Sequence, residues 1–330
     1  MHSRIAALLA LVISSTALSA EPEAYDPLKV ADGTPVSETF EIKDAKRDRI
    51  IPVRVYLPET KQAAPVILFS HGLGGSRDNN PYLGNHWAKR GYVVVFVQHA
   101  GSDEAVWKEV AAGERFEKLK SAASLESFLS RVKDVPVVID ALTAWNGDEK
   151  NALHGRMDLE HIGMSGHSFG AITTEAMAGE TLASQSFLDK RLDAAVMMSP
   201  SPPTLGDPAT AFASIKMPCL LMTGTQDDSP IGNTTAADRL KIFPNLKNAP
   251  AWQVVFDKAV HMSFGDRDLK GQSTLGSRYH PPILALTTAF WDAELKGDKQ
   301  ALEWLNGKGA KGVLTAEDQW QANERATTAP

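Results

Sequence analysis

The chain has 330 residues, 43% hydrophobic and 22% charged, so it carries enough apolar side chain to bury a sizeable core and is not a disordered polymer. A formal net charge of −6 leaves no basic footprint, so neither nucleic acid nor an anionic membrane is expected as a partner. One cysteine, Cys219, excludes an intrachain disulfide and any cysteine-rich zinc site.

Met1-His2-Ser3-Arg4, an apolar run from Ile5 to Ile13 and small residues from Ser14 to Ala20 read as a secretory signal peptide, with cleavage after Ala20. The run is too short to span a bilayer. Export without stable membrane insertion is therefore the expectation, with one domain over 21–306. Beyond it, 307–330 reads as a polar extension whose last residues, from Asn323, are frayed.

Residues 37–42 and 53–57 alternate apolar and polar side chains, as half-exposed antiparallel strands do. The continuous apolar runs 66–69 and 92–97 suit strands covered on both faces. Shorter runs end at Met164, Met198 and Met222, and another covers 252–256. Helical patterns fall between them at 82–90, 124–145, 169–178, 234–243 and 282–295. This alternation predicts an α/β fold: a mostly parallel central sheet covered by helices on both faces, with antiparallel strands first. Residues 101–120 have helical character and fit either a cap over a site or a surface helix.

Gly166-His167-Ser168-Phe169-Gly170 is a Gly-x-Ser-x-Gly sequence between a strand and a helix pattern. The bare pattern is common, and its setting carries the weight. A serine on so tight a turn is pushed out beyond the end of the sheet, and the flanking glycines avoid collisions with neighbouring backbone. Upstream, the run 66–69 leads into Ser70-His71-Gly72-Leu73-Gly74-Gly75, a glycine-dense loop whose N–H groups can approach a ligand closely.

Together with Thr223-Gly224-Thr225-Gln226-Asp227 and His261-Met262-Ser263-Phe264, these phrases make the chain resemble the α/β-hydrolase superfamily. Within it, the sequence is similar to dienelactone-hydrolase-like and platelet-activating-factor-acetylhydrolase-like esterases. The resemblance implies Ser168 as nucleophile, and Leu73 and Phe169 as backbone donors of an oxyanion hole. His71 and His167 would then pack and position loops. In the superfamily order of serine, acid, histidine, the base is His261 or His280. His261 follows the run 252–256 by a short loop and is preferred, whereas His280 precedes two prolines and reads as a helix start. The acid is Asp227 after the run ending at Met222, with Asp207 as its rival and Asp228 read as a solvated loop or capping residue.

Cys219 reads as a core residue, and no His-Glu-x-x-His pair, Walker loop or dinucleotide fingerprint occurs, so neither metal nor cofactor is implied. The expected activity is ester hydrolysis through an acyl-enzyme, on a small-molecule, lipid or polymeric ester. An amide-cleaving enzyme on the same residues and a catalytically silent binding protein are the alternatives.

Overall fold

The computed structural model describes residues 24–203, 206–267, 271–274 and 276–328, so the expected signal peptide lies outside the described residues. In chain order the strands are β1 (Val36–Asp44), β2 (Arg49–Leu57), β3 (Ala64–Ser70), β4 (Val93–Val97), β5 (Met157–His167), β6 (Thr181–Leu182), β7 (Gln185–Ser186), β8 (Ala194–Met198), β9 (Cys219–Gln226), β10 (Ala251–Val260) and β11 (Gln319–Ala322). The helices that shape the site are α1 (Pro81–Lys89), α2 (Ala105–Lys108), α3 (Arg115–Ala122), α4 (Leu125–Gly147), α5 (Phe169–Ala178), α6 (Pro208–Ala211), α7 (Ala236–Arg239) and α8 (His280–Lys296).

Among the described residues, nine strands form one sheet in the order β1-β2-β4-β3-β5-β8-β9-β10-β11, while β6 and β7 make a separate hairpin. The pairs from β4 through β10 are parallel, and β1–β2, β2–β4 and β10–β11 are antiparallel. This is the mostly parallel sheet expected from the pattern of the chain, in the α/β-hydrolase fold that the resemblance implies.

The continuous apolar runs divide by parity between two cores, because successive side chains of a strand point to opposite faces. Ile67, Phe69, Val94 and Phe96 join Trp87 of α1 and Trp291 of α8 on one face. Val66, Leu68, Val93 and Val95 join Val132, Val135 and Ile139 of α4 on the other. Chain order reverses between β3 and β5, which are neighbours in the sheet although α1, β4 and α4 lie between them in sequence. Ligand sites of open α/β sheets form at such a reversal, beyond the carboxyl ends of the strands.

Three expectations differ from the structure. The helix expected over 234–243 is cut to α7, where Thr235 and Asp238 cap each other's backbone, and the chain then turns through a short 3-10 segment containing Pro244. The polar stretch that begins at residue 307 is, over the described residues to 328, no extension beyond the domain, since β11 pairs with β10 at the sheet edge. Nor does the chain fray at Asn323: its side chain accepts from the N–H of Ala251 at 3.1 Å and of Ala326 at 3.0 Å, and Ala326 is fully buried. The alternation Gln319-Trp320-Gln321-Ala322 is too short to stand out as a strand; pairing with β10 makes it one, and Trp320 Nε1 donates to the Leu305 carbonyl at 3.2 Å.

A buried ionic knot joins α8 to the turn after α1. Asp292, 2% exposed, accepts from the hydroxyls of Tyr25 and Tyr92 at 2.7 Å each, from Arg90 Nε at 2.8 Å and from Lys296 Nζ at 3.0 Å. Burial alone would raise this carboxyl, but Lys296 and Arg90 hold it below the ordinary aspartate range. Asp292→Ala is expected to lower the unfolding free energy by about 3–5 kcal/mol in a urea titration at neutral pH. A carboxyl with a depressed folded value stabilises only where it is ionised, so this difference should shrink as pH falls below about 4.

Candidate active site

Gly166 lies near the end of β5 and Gly170 in the first turn of α5, and both are required by space. A Cβ on Gly166 would lie 2.2 Å from the Gly170 carbonyl oxygen, and one on Gly170 would lie 1.9 Å from that of Ser70. With those side chains absent, the chain turns within one residue, and Ser168 takes φ 57° and ψ −117°. The Ser168 N–H donates to the Met198 carbonyl at 2.9 Å, tying the turn to the end of β8.

Three residues far apart in sequence meet beyond the strand ends. Ser168 Oγ lies 2.8 Å from Nε2 of His261, and His261 Nδ1 lies 2.7 Å from Oδ1 of Asp227. His261 is 6% exposed and Asp227 is fully buried. With Nδ1–H donating to the carboxylate, Nε2 is left as the acceptor facing the serine hydroxyl. Burial alone would raise the Asp227 carboxyl, but the His261 hydrogen bond and the Arg239 charge hold it below its ordinary value. Thr223 donates to its second oxygen at 2.9 Å.

The rivals are placed elsewhere. Asp207 is exposed at the start of α6 and accepts from the Ala209 N–H at 3.2 Å. Asp228 accepts from the Ala236 N–H at 2.9 Å. His280 bonds the Gly265 carbonyl at 3.0 Å and stacks on Tyr82 at 4.1 Å. His167 is held neutral, pushed down to about 3 chiefly by burial, and its Nε2 donates to the His261 carbonyl at 3.0 Å.

The loop after β3 packs against the turn, since a Cβ on Gly72 would touch Ser168 Cβ at 3.5 Å. The His99 N–H donates to His71 Nε2 at 3.0 Å, so the imidazole proton sits on Nδ1 and is donated to the Gly72 carbonyl at 2.6 Å. In a trans peptide the carbonyl and the following N–H point in opposite directions. Fixing Gly72 O against His71 therefore turns the Leu73 N–H away from the buried network. No described protein group accepts from the N–H of Leu73 or of Phe169, the first residue of α5.

Residues 101–120 form a rim over this region, through α2 and α3. Trp107 donates to the Gly74 carbonyl at 2.7 Å, and Arg115, Phe116 and Leu119 line a cavity of about 1480 Å³ that also contains Ser168, His261, Leu73 and Phe169. Among the described residues there is no cluster able to hold a metal ion, and no helix is long and apolar enough to cross a membrane.

Sequence reasoning missed the buried cations behind the site. Arg239 is fully buried; it donates to the carbonyls of Ser199, Pro200 and Asp227 at 2.7 Å each and pairs with Asp227 Oδ1 at 3.3 Å. Arg131, also fully buried, donates to the His71 carbonyl at 2.7 Å and lies over the Phe169 ring at 4.4 Å. Beside it, Ser70 Oγ contacts His99 Nε2 at 2.9 Å and His99 Nδ1 contacts Asp134 at 2.9 Å, a second serine–histidine–aspartate chain sealed in the interior. A charged residue within a helical pattern reads as a surface position, so Arg131, Asp134 and Arg239 had no signal of their own. Arg239→Met is expected to cost about 3–5 kcal/mol of stability in chemical denaturation, because it strands a buried carboxylate and three carbonyls. Arg239→Lys should recover only part of this, since an ammonium lacks the forked donors.

Residues 54–120 match the family model for platelet-activating factor acetylhydrolase, isoform II. The matched segment takes in β3, the glycine-dense loop, α1, β4 and the rim, and it ends before Ser168. No curated protein matches the chain. The match supports a hydrolase of the lipase and esterase type. The chain has the α/β-hydrolase fold and, over residues 54–120, is similar to the platelet-activating factor acetylhydrolases of that superfamily, as its motifs imply.

Proposed function

We propose that the protein is an exported serine hydrolase that cleaves carboxylic esters through an acyl-enzyme. The observation that carries this reading is the unbroken hydrogen-bond chain from Ser168 through His261 to Asp227, with contacts of 2.8 and 2.7 Å, at the wall of a cavity. Ser168 Oγ attacks the ester carbonyl carbon while His261 Nε2 takes its proton. Asp227 keeps the imidazole in the reactive tautomer and stabilises the imidazolium that forms. The N–H groups of Leu73 and Phe169 bind the oxyanion. Collapse of the tetrahedral intermediate breaks the bond to the alcohol oxygen, which receives the proton from His261. Water then enters, gives its proton to His261, and attacks the acyl carbon. Ser168 Oγ leaves as the hydroxyl, with the acid as second product.

The sign of the Asp227 shift bears on this scheme. Held below its ordinary value, the carboxylate stays ionised through neutral pH and can orient His261 wherever the imidazole is neutral. The leader-like segment at residues 1–20 supports the export part of this reading.

Ser168→Ala is expected to abolish turnover of p-nitrophenyl esters and to remove the mass adduct that a fluorophosphonate leaves on the parent protein; ester cleavage at the parent rate would end the proposal. Asp227→Asn should lower kcat by about 10⁴, by leaving imidazole Nδ1 facing a donor. Asp207→Asn should change kcat far less. Equal losses in steady-state assays of the two variants would remove Asp227 from its role.

A further inference from the structure

The cavity in front of Ser168 is longer than the reacting atoms require. Phe169, Ile172 and Ala176, spaced along one face of α5, line it, and so does Glu180, just past the left-handed Gly179 that caps the helix. At 1.5 Å per helical residue, that face runs about 15 Å from Ser168. Phe116 and Leu119 of α3 and Leu125 and Phe128 of α4 add apolar lining to the same cavity. An apolar channel of this kind selects a hydrocarbon chain, since each buried methylene strengthens binding by about fourfold.

The far end of the channel is not apolar. Glu180 is 8% exposed and lines the cavity, and among the described residues no group forms a hydrogen bond or ion pair with its carboxyl. Its neighbour Glu175 is fully buried; one oxygen accepts from the Ser201 N–H at 3.1 Å and the other has no partner. Burial pushes the Glu180 carboxyl up to about 8, and no cation offsets that cost. The Glu180 carboxyl opens on the cavity, so a ligand that displaces water there either supplies a hydrogen bond to the acid or leaves it unpaired.

We propose that the preferred substrate is an ester whose long apolar chain lies along α5 and ends in a hydrogen-bond donor, a hydroxyl or an amine, that Glu180 binds. This deepens the esterase reading and rests on it. The bond cleaved and the residues that cleave it are unchanged; Glu180 decides which chain ends are accepted. A site built to hydrogen-bond a substrate group discriminates strongly against the analogue that lacks it, because its own polar atom is then left unpaired.

The test compares p-nitrophenyl dodecanoate with its ω-hydroxy counterpart, and each protein is read by the ratio of kcat/KM for the two esters, which is independent of the fraction folded. The parent protein is expected to favour the ω-hydroxy ester by about tenfold. Glu180→Leu should reverse the preference, and Glu180→Gln, which keeps an acceptor, should retain part of it. Equal ratios for parent and Glu180→Leu, or no preference in the parent, would overturn the proposal. A butanoate ester separates the two levels. If its hydrolysis survives Ser168→Ala, the esterase reading falls. If its hydrolysis needs Ser168 while the long esters show no chain-end preference, only the role of Glu180 falls.

Discussion

Ser168 sits at φ 57° and ψ −117°, a backbone conformation that costs a non-glycine residue about 1–3 kcal/mol and persists only where its surroundings over-determine it. Here the surroundings are the approach of α5 to the end of β3, close enough that a single methyl group at Gly170 would overlap the Ser70 carbonyl. The same approach places the loop after β3 beside the serine and leaves the first N–H of α5 free. Two strands adjacent in the sheet but distant in sequence thus bring the Ser168 turn and the glycine-dense loop side by side. The reversal of strand order between β3 and β5 is what makes them adjacent.

The loops that converge there have carbonyls the sheet cannot use, and buried cations take them up. Arg131 reaches from α4 to the carbonyl of His71, and Arg239 ties the segment after β8 to the loop after β9. Charge inside a protein is tolerated only with good geometry and nearly complete hydrogen bonding. Arg239 meets that condition on three carbonyls and a carboxylate, and Arg131 on backbone carbonyls and the hydroxyls of Ser70 and Ser102. Ser70–His99–Asp134 is instructive in the same way. It repeats the residue types and nearly the contact distances of Ser168–His261–Asp227, yet Ser70 is 1% exposed and does not line the cavity that Ser168 lines. Access to a ligand, and not the hydrogen-bond chain alone, separates a candidate site from a structural network.

Much of the fold was legible because strands covered on both faces must be apolar at every position, as in Val93-Val94-Val95-Phe96-Val97. The elbow was legible because a one-residue turn against close backbone demands glycine at fixed spacing. Less could be read where a role depends on distant partners. Gln319-Trp320-Gln321-Ala322 becomes a strand only because β10 offers it an open edge. Residues 234–243 have helical spacing, but a capping box at Thr235 and Pro244 beyond it shorten the helix. Arg239 carried no mark of burial, since its partners are backbone oxygens that have no letter in a sequence.

What the sequence alone determined are the features of short range: the parity of the strands, the turn at Ser168, the glycine-dense loop at residues 71–75 and the short list of candidate acids and bases. The tertiary structure decided among them. Asp227, Asp207 and Asp228 are the same chemical group in similar loops, and only the path of the chain puts one against His261 and the others at helix starts. The same holds for residues 101–120, which become the rim of a cavity because Trp107 finds the carbonyl of Gly74. The physical reason is that a local pattern specifies the conformation of its own backbone, whereas a side-chain contact depends on where two separate stretches of backbone come to rest.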